Sequence, residues 1–141
     1  MKTVIKNYNL KRFLLAQKDQ YEDVKKELKE GKKETHWMWY FFPQIEGLGF
    51  SEISRFYALK YGIDEAKEYY ENRILKARLN KLCNILLKLD INDPIEIFGE
   101  IDAMKLQSSM TLFRFATKEE IFSRVLVKFF KGEKCSKSIA L

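Results

Sequence analysis

"IDEAKEYYENRILKARLNKLCNILLKL", residues 63–89, decides the fold class. Ile74, Leu75, Leu79, Leu82, Leu86 and Leu89 recur in the steps that put side chains on one stripe of an α-helix. Asp64 opens the segment and Asn72 marks a break within it. A half-buried strand would need every second residue apolar, and alternation of that kind is nearly absent from the chain.

The flanking segments read the same way. "NLKRFLLAQ" sets Leu10, Phe13, Leu14 and Gln17 on one face, with Asn9 as the expected N-cap. "YEDVKKELKEG" continues with Tyr21, Val24 and Leu28, and Gly31 is placed to end it in a left-handed turn. Thr35 is expected to cap a short helix that must stop at Pro43, which lacks an amide and restricts Phe42. Ser51 opens "SEISRFYALKYG", which Gly62 closes. Asp93 before Pro94 is a cap followed by a first-turn proline, and Gly99 ends that segment. Asp102 is expected to cap "AMKLQSSMTLFRFA", and Thr117 with Glu120 to form a capping box for the last helix. "WMWYFFP" has a strand-like composition, but its neighbours argue against a strand. The expectation is an all-α fold, a compact single domain of about seven or eight short helices over residues 1–141.

Composition narrows the function classes. A hydrophobic fraction of 46% with 14% aromatics excludes disorder, and 141 residues suffice for a core without disulfides or metal. Cys83 and Cys135 are far apart, which reads as reduced thiols. "MKTVIKNYNLKRFLLAQKDQ" never builds the apolar core of a targeting segment, and no apolar run approaches the ~20 residues needed to cross a bilayer. A cytoplasmic protein without membrane contact is expected. The net charge of +6 divides as +4 over residues 1–35, −1 over 36–117 and +3 over 118–141. Runs such as "EDVKKELKEGKKE" interleave lysine with glutamate, as solvated helix faces do, and this argues against a nucleic-acid partner.

Five stretches, "HWMWYFFPQIEGLG", "SRFYAL", "EAKEYYEN", "IFGEIDAMKLQSSMTLF" and "FSRVLVKFFKGE", resemble in that order the motifs of the bacterial family called domain of unknown function 1810. The resemblance runs from Asn9 to the C-terminus. It implies a single, mainly helical bacterial domain without an assigned biochemical role; the calpastatin label carried by some relatives is a misannotation. The chain departs from the family at Asn72-Arg73, where a His-Pro pair is more usual, and at "CSKS", residues 135–138. Neither position is therefore given an indispensable chemical role.

The residues that could carry chemistry fall in two places. "THWMWYFFPQIEGLG", residues 35–49, holds both tryptophans, the sole histidine and one of two prolines. His36 is the only imidazole for a nucleophilic triad, or else a helix-start histidine bonding a carbonyl. One histidine and two distant cysteines cannot supply a tetrahedral zinc set, so no metal is expected. Trp37 through Phe42 cannot all face inward on one helix, so the run is wholly central or leaves aromatic surface for a ligand. Gln44 precedes Gly47 and Gly49, where amides could approach an anion, although a tight connecting loop is the simpler account of them. Strand and lysine are both missing for a dinucleotide or phosphate-loop fingerprint.

The second place is "KLQSSMT", residues 105–111. Lys105, Ser108 and Ser109 share one helical face, which suits either close helix packing or a polar cavity. Carboxylate pairing among Glu46, Glu100 and Asp102 gives only a weak enzymatic signal. The leading expectation is a pocket built from the His36–Gly49 and Lys105–Thr111 segments for a small anionic or nucleotide-like ligand, with no cofactor. One alternative is a protein-interaction or regulatory module. Another is a hydrolase or transferase using His36 with Ser108 or Ser109, so enzymatic activity is left open.

Overall fold

A computed structural model describes residues 8–45, 47 and 51–134; Glu46, Gly49, Cys135 and the "CSKS" segment lie outside them. Of the described residues 71% are helical, and the fold is all-α, as expected. Eight helices are described: α1 Lys11–Lys18, α2 Tyr21–Lys29, α3 Met38–Phe41, α4 Glu52–Tyr57, α5 Ile63–Glu71, α6 Arg73–Lys88, α7 Pro94–Thr117 and α8 Glu120–Phe130. "WMWYFFP" folds as the single turn of α3, and Phe42 is extended before Pro43. One isolated bridge, Ile45 to Leu59, is the only strand-like pairing among the described residues.

The segment that decides the fold class becomes α5 and α6. Asn72 leaves the helical conformation, and its side-chain oxygen accepts hydrogen bonds from the amides of Ile74 and Leu75, so it caps α6. Leu75, Leu79, Leu82 and Leu86 are buried as the stripe requires. Ile74 is the correction, 51% exposed, because it sits about 100° around the helix from Leu75. At the other end Lys128 of α8 donates to the carbonyls of Leu86, Leu87 and Leu89, closing the C-terminus of α6 with an ammonium from another helix.

Two glycines behave as read. Gly31 takes φ +73°, and the amides of Gly31 and Lys32 donate to Leu28 and Glu27, which turns the chain back after α2. Gly99 takes φ +80° and ψ 168°, a region open to glycine alone, and kinks α7 five residues after Pro94. Asp93 caps α7 by accepting from the Ile95 amide.

Other caps differ. Asn9 is itself left-handed, and α1 starts beyond it without a side-chain cap. Thr35 turns its hydroxyl to Glu27, and Trp37 takes the cap position of α3. The helix opened by Ser51 ends at Tyr57, because the chain then extends to let the Leu59 amide donate to the Gln44 carbonyl. Helix α7 resumes directly after Gly99, so Asp102 lies inside it and pairs with lysines instead. Thr117 ends α7, donating to Phe113 and accepting from the Glu119 amide, so no capping box forms with Glu120.

A chain of aromatic rings runs through the core. Phe13, Tyr69, Phe113 and Phe122 follow one another at centroid distances of 5.2, 5.4 and 5.6 Å, linking α1, α5, α7 and α8. Trp37 meets Phe41 edge-on at 5.8 Å beside this chain of rings. Arg12 is the buried polar tie. Its guanidinium donates to the carbonyls of Tyr8, Asn9, Phe56 and Ala58 and to the Glu65 carboxylate at 2.9 Å. That fork fastens α1 to the α4–α5 corner.

Candidate functional site

The chain reversal at Gly31 brings residues 32–37 across the kinked end of α7. Glu27 holds this loop. Its carboxylate accepts hydrogen bonds from the Glu34 and Thr35 amides, the Thr35 hydroxyl and the Trp37 indole N–H, at 2.7–3.0 Å. Burial raises the Glu27 pKa, but the bonds from Trp37, Thr35 and Glu34 outweigh it, and the carboxyl titrates below its ordinary value. Trp37 is thereby fixed in the core.

Lys33 is the next fixed point. Its amide donates to the Ile97 carbonyl, and its ammonium lies 2.8 Å from Asp102 and 5.0 Å over the Trp37 ring. Lys105, one turn after Asp102, brings a second ammonium to 3.1 Å from the same carboxylate and 4.1 Å over the Trp39 ring. Only 6% of the Lys33 side chain is exposed, against 23% for Lys105, so Lys105 is the freer of the two. Desolvation raises the Asp102 pKa, but the bonds and charges of both lysines prevail and lower it. Two cations therefore share one carboxylate beside a half-buried indole.

Gln44 ties the two segments together. Its side-chain amide donates to the Phe42 carbonyl at 2.9 Å and to the Lys105 carbonyl at 2.8 Å. The two segments singled out in the sequence do meet, at Trp39, Gln44 and Lys105. Trp37 is core, whereas Trp39 is half-buried beneath the Lys105 ammonium. Gly47 is exposed at φ +94°, with open space where a Cβ would stand.

Other expected residues stand apart. His36 is exposed, whereas Ser108 and Ser109 are buried. The Ser109 hydroxyl has no hydrogen-bond partner among the described residues, and Thr111 donates to the Gln107 carbonyl within α7. The two serines line packed interior and leave Lys105 as the accessible polar tip on their face. A cleft of about 240 Å³ lies elsewhere, lined by Tyr8, Arg12, Phe56, Lys60, Tyr61 and Glu65. Every N–H of Arg12 there is already engaged.

Sequence reasoning missed Lys33, Glu27 and the ion-pairing role of Asp102. Lys33 sits in a lysine-rich run that reads as solvent-facing, and its burial is created by residues near position 100. The one available signal was its place just beyond the Gly31 stop and four residues before Trp37. Among the described residues, no three His, Cys, Asp or Glu groups gather as metal ligands, and no helix is long and apolar enough to cross a membrane.

The family model described as "Protein of unknown function (DUF1810)" matches residues 7–141, and the chain belongs to that family. It is also similar to the conserved hypothetical protein Rv1873 from Mycobacterium tuberculosis, known from a crystal structure at 1.38 Å. The two are 37% identical, the match covers 96% of each chain, and the TM-score is 0.92. No curated protein matches the chain.

Proposed function

We propose that the chain binds a small anionic, nucleotide-like ligand where Trp39 meets Lys105. The observation that carries this reading is the sharing of Asp102 by Lys33 and Lys105, which leaves one positive charge in excess beside an indole. An arriving phosphate or carboxylate competes with Asp102 for the Lys105 ammonium, while Lys33 keeps the Asp102 charge compensated. Displacing Lys105 from the Trp39 ring uncovers a flat apolar surface for a base or other planar group. Gln44 fixes the backbone on both sides. Ser108 and Ser109, being buried, serve as packing in this scheme.

A thermal-shift screen of nucleotides, sugar phosphates and carboxylates, run on wild type and Lys105→Met, tests it. A ligand at a hundred times its Kd stabilises by about 2.7 kcal/mol, well within detection. Lys105→Met should weaken binding about tenfold while retaining the apolar stem over Trp39. An unmoved wild-type midpoint, or an identical response from the variant, defeats the proposal.

One observation favours a second reading, a protein-interaction module. Ile101 and Met104 lie 72% and 69% exposed within one turn of Lys105, more apolar surface than a solvated helix needs. The hydrolase reading has the least support, since His36 is exposed and both serines are buried. A cytoplasmic location accords with the free, buried Cys83 thiol.

A further inference from the structure

Helix α6 carries Arg73, Lys76, Arg78, Lys81 and Lys88 and no acidic residue. Its apolar stripe faces the core, so Arg73, Lys76, Lys81 and Lys88 are left on the exposed side. Arg78 is half-buried, bonded to the Gln17 side chain and lying 5.2 Å over the Tyr21 ring. Of the helices packed on α6, α2 is neutral, α8 adds +1, and α1 at +3 offsets α5 at −3, so its charge is not cancelled. These five helices together hold +6, the net charge of the whole chain, and the remaining residues sum to zero. Along the sequence this concentration is hidden, because the acids of residues 36–117 lie on other elements, notably Asp64 to Glu71 and Asp90 to Asp102.

We propose that the exposed face of α6 docks the phosphate backbone of a nucleic-acid duplex, without reading its sequence. Sixteen residues span about 24 Å, and Arg73, Lys81 and Lys88 lie about 12 and 10 Å apart along the axis, within an arc of about 80°. That spacing is commensurate with phosphates bordering a groove about 12 Å wide. The side chains between them, Ala77 and Asn84, are short and uncharged and let a backbone come close. Grooves flank Arg73 on both sides. One of about 740 Å³ is lined by Tyr21, Ile74 and Arg78, and one of about 570 Å³ by Lys67, Tyr70 and Lys76 together with Glu71 and Glu119, which make it the less favourable side for a phosphate.

The same face suits other anionic surfaces poorly. Ile74 is its one exposed large apolar side chain, whereas protein interfaces need buried anchors and membrane-surface helices need an apolar face to insert. Line charge is what it offers, and a duplex is the partner with a matching line of charge.

Fluorescence anisotropy with labelled duplexes of mixed sequence, from 50 to 200 mM salt, tests this. Four phosphate contacts give a log–log salt slope of about −3.6, so affinity should fall roughly a hundredfold across that range. Arg73→Gln/Lys81→Gln/Lys88→Gln should lower the slope by about 2.7 and weaken binding at least tenfold at 50 mM salt. Lys11→Gln/Lys18→Gln/Lys60→Gln, an equal loss of charge on exposed positions elsewhere, should stay within about threefold of wild type. Lys105→Met should not affect duplex binding, which separates this face from the Trp39 site. No binding at 50 mM salt, or an equal loss in both triple variants, overturns the proposal. Tighter binding to polyglutamate or to phosphatidylserine vesicles than to duplex also overturns it, and assigns the face to an acidic protein or a membrane.

Discussion

Glu27 gives the sharpest test of how the Trp37 loop is held. Replacing it with alanine removes the acceptor for two amides, one hydroxyl and one indole N–H. The amides and hydroxyl are only part-buried and can turn to water, but the Trp37 donor is fully buried and stays unpaired, costing about 1–3 kcal/mol. With the lost charge-assisted bonds, Glu27→Ala should cost about 3–4 kcal/mol. Glu27→Gln differs in kind. Both amides and the indole converge on one carboxylate oxygen, which the glutamine carbonyl can replace, and the Thr35 hydroxyl can reverse to accept from the new amide. It should cost about 1 kcal/mol, chiefly the loss of charge. The pH dependence follows from the same geometry. The carboxyl titrates lower in the folded state than its ordinary 4.5, so its contribution is complete above about pH 4.5 and is lost as pH falls through the lower folded value. Urea denaturation from pH 3 to 7 should show a shallower acid limb in Glu27→Gln than in wild type, with Asp102 supplying the remainder. Equal destabilisation by both variants, or an unchanged acid limb in Glu27→Gln, refutes the reasoning.

Trp37→Ala should cost about 3–5 kcal/mol, whereas Trp39→Ala should fold and lose anion binding; denaturation and thermal shift separate the two. Ser109→Ala removes a buried hydroxyl that has no partner, so stability in urea should be unchanged or raised by about 1 kcal/mol. Gly99→Ala meets open space but an unfavourable backbone, and should lower stability by about 1–3 kcal/mol for conformational reasons alone, as chemical denaturation would show.

Features set by a few neighbouring residues were legible. Asn72, Asp93-Pro94 and Gly31 do in the fold what their local chemistry dictates, because no distant group competes for them. Asp102 and Thr35 were misread as caps because stronger partners, two ammoniums and a carboxylate, arrive from elsewhere in the chain. The aromatic stretch revealed where to look but not how it divides. A helix of four residues is too short for periodicity to tell the buried Trp37 from the half-open Trp39. The link from Gln44 to Lys105 spans 61 residues and leaves no local trace. The basic face of α6 was diluted in a window of balanced charge, and became visible only when its acidic neighbours in sequence moved to other faces.

The Arg12 fork bears on how the chain comes apart. Its partners at Phe56, Ala58 and Glu65 lie 44 to 53 residues away, and none can be kept if the α4–α5 corner opens. An intermediate with α1 docked and that corner unfolded would bury an uncompensated guanidinium, which costs several kcal/mol. Such half-open states are thereby depopulated, so α1 and the 56–65 corner melt together. Two segments distant in sequence become a single cooperative unit, and the cost of stranding one buried cation enforces it.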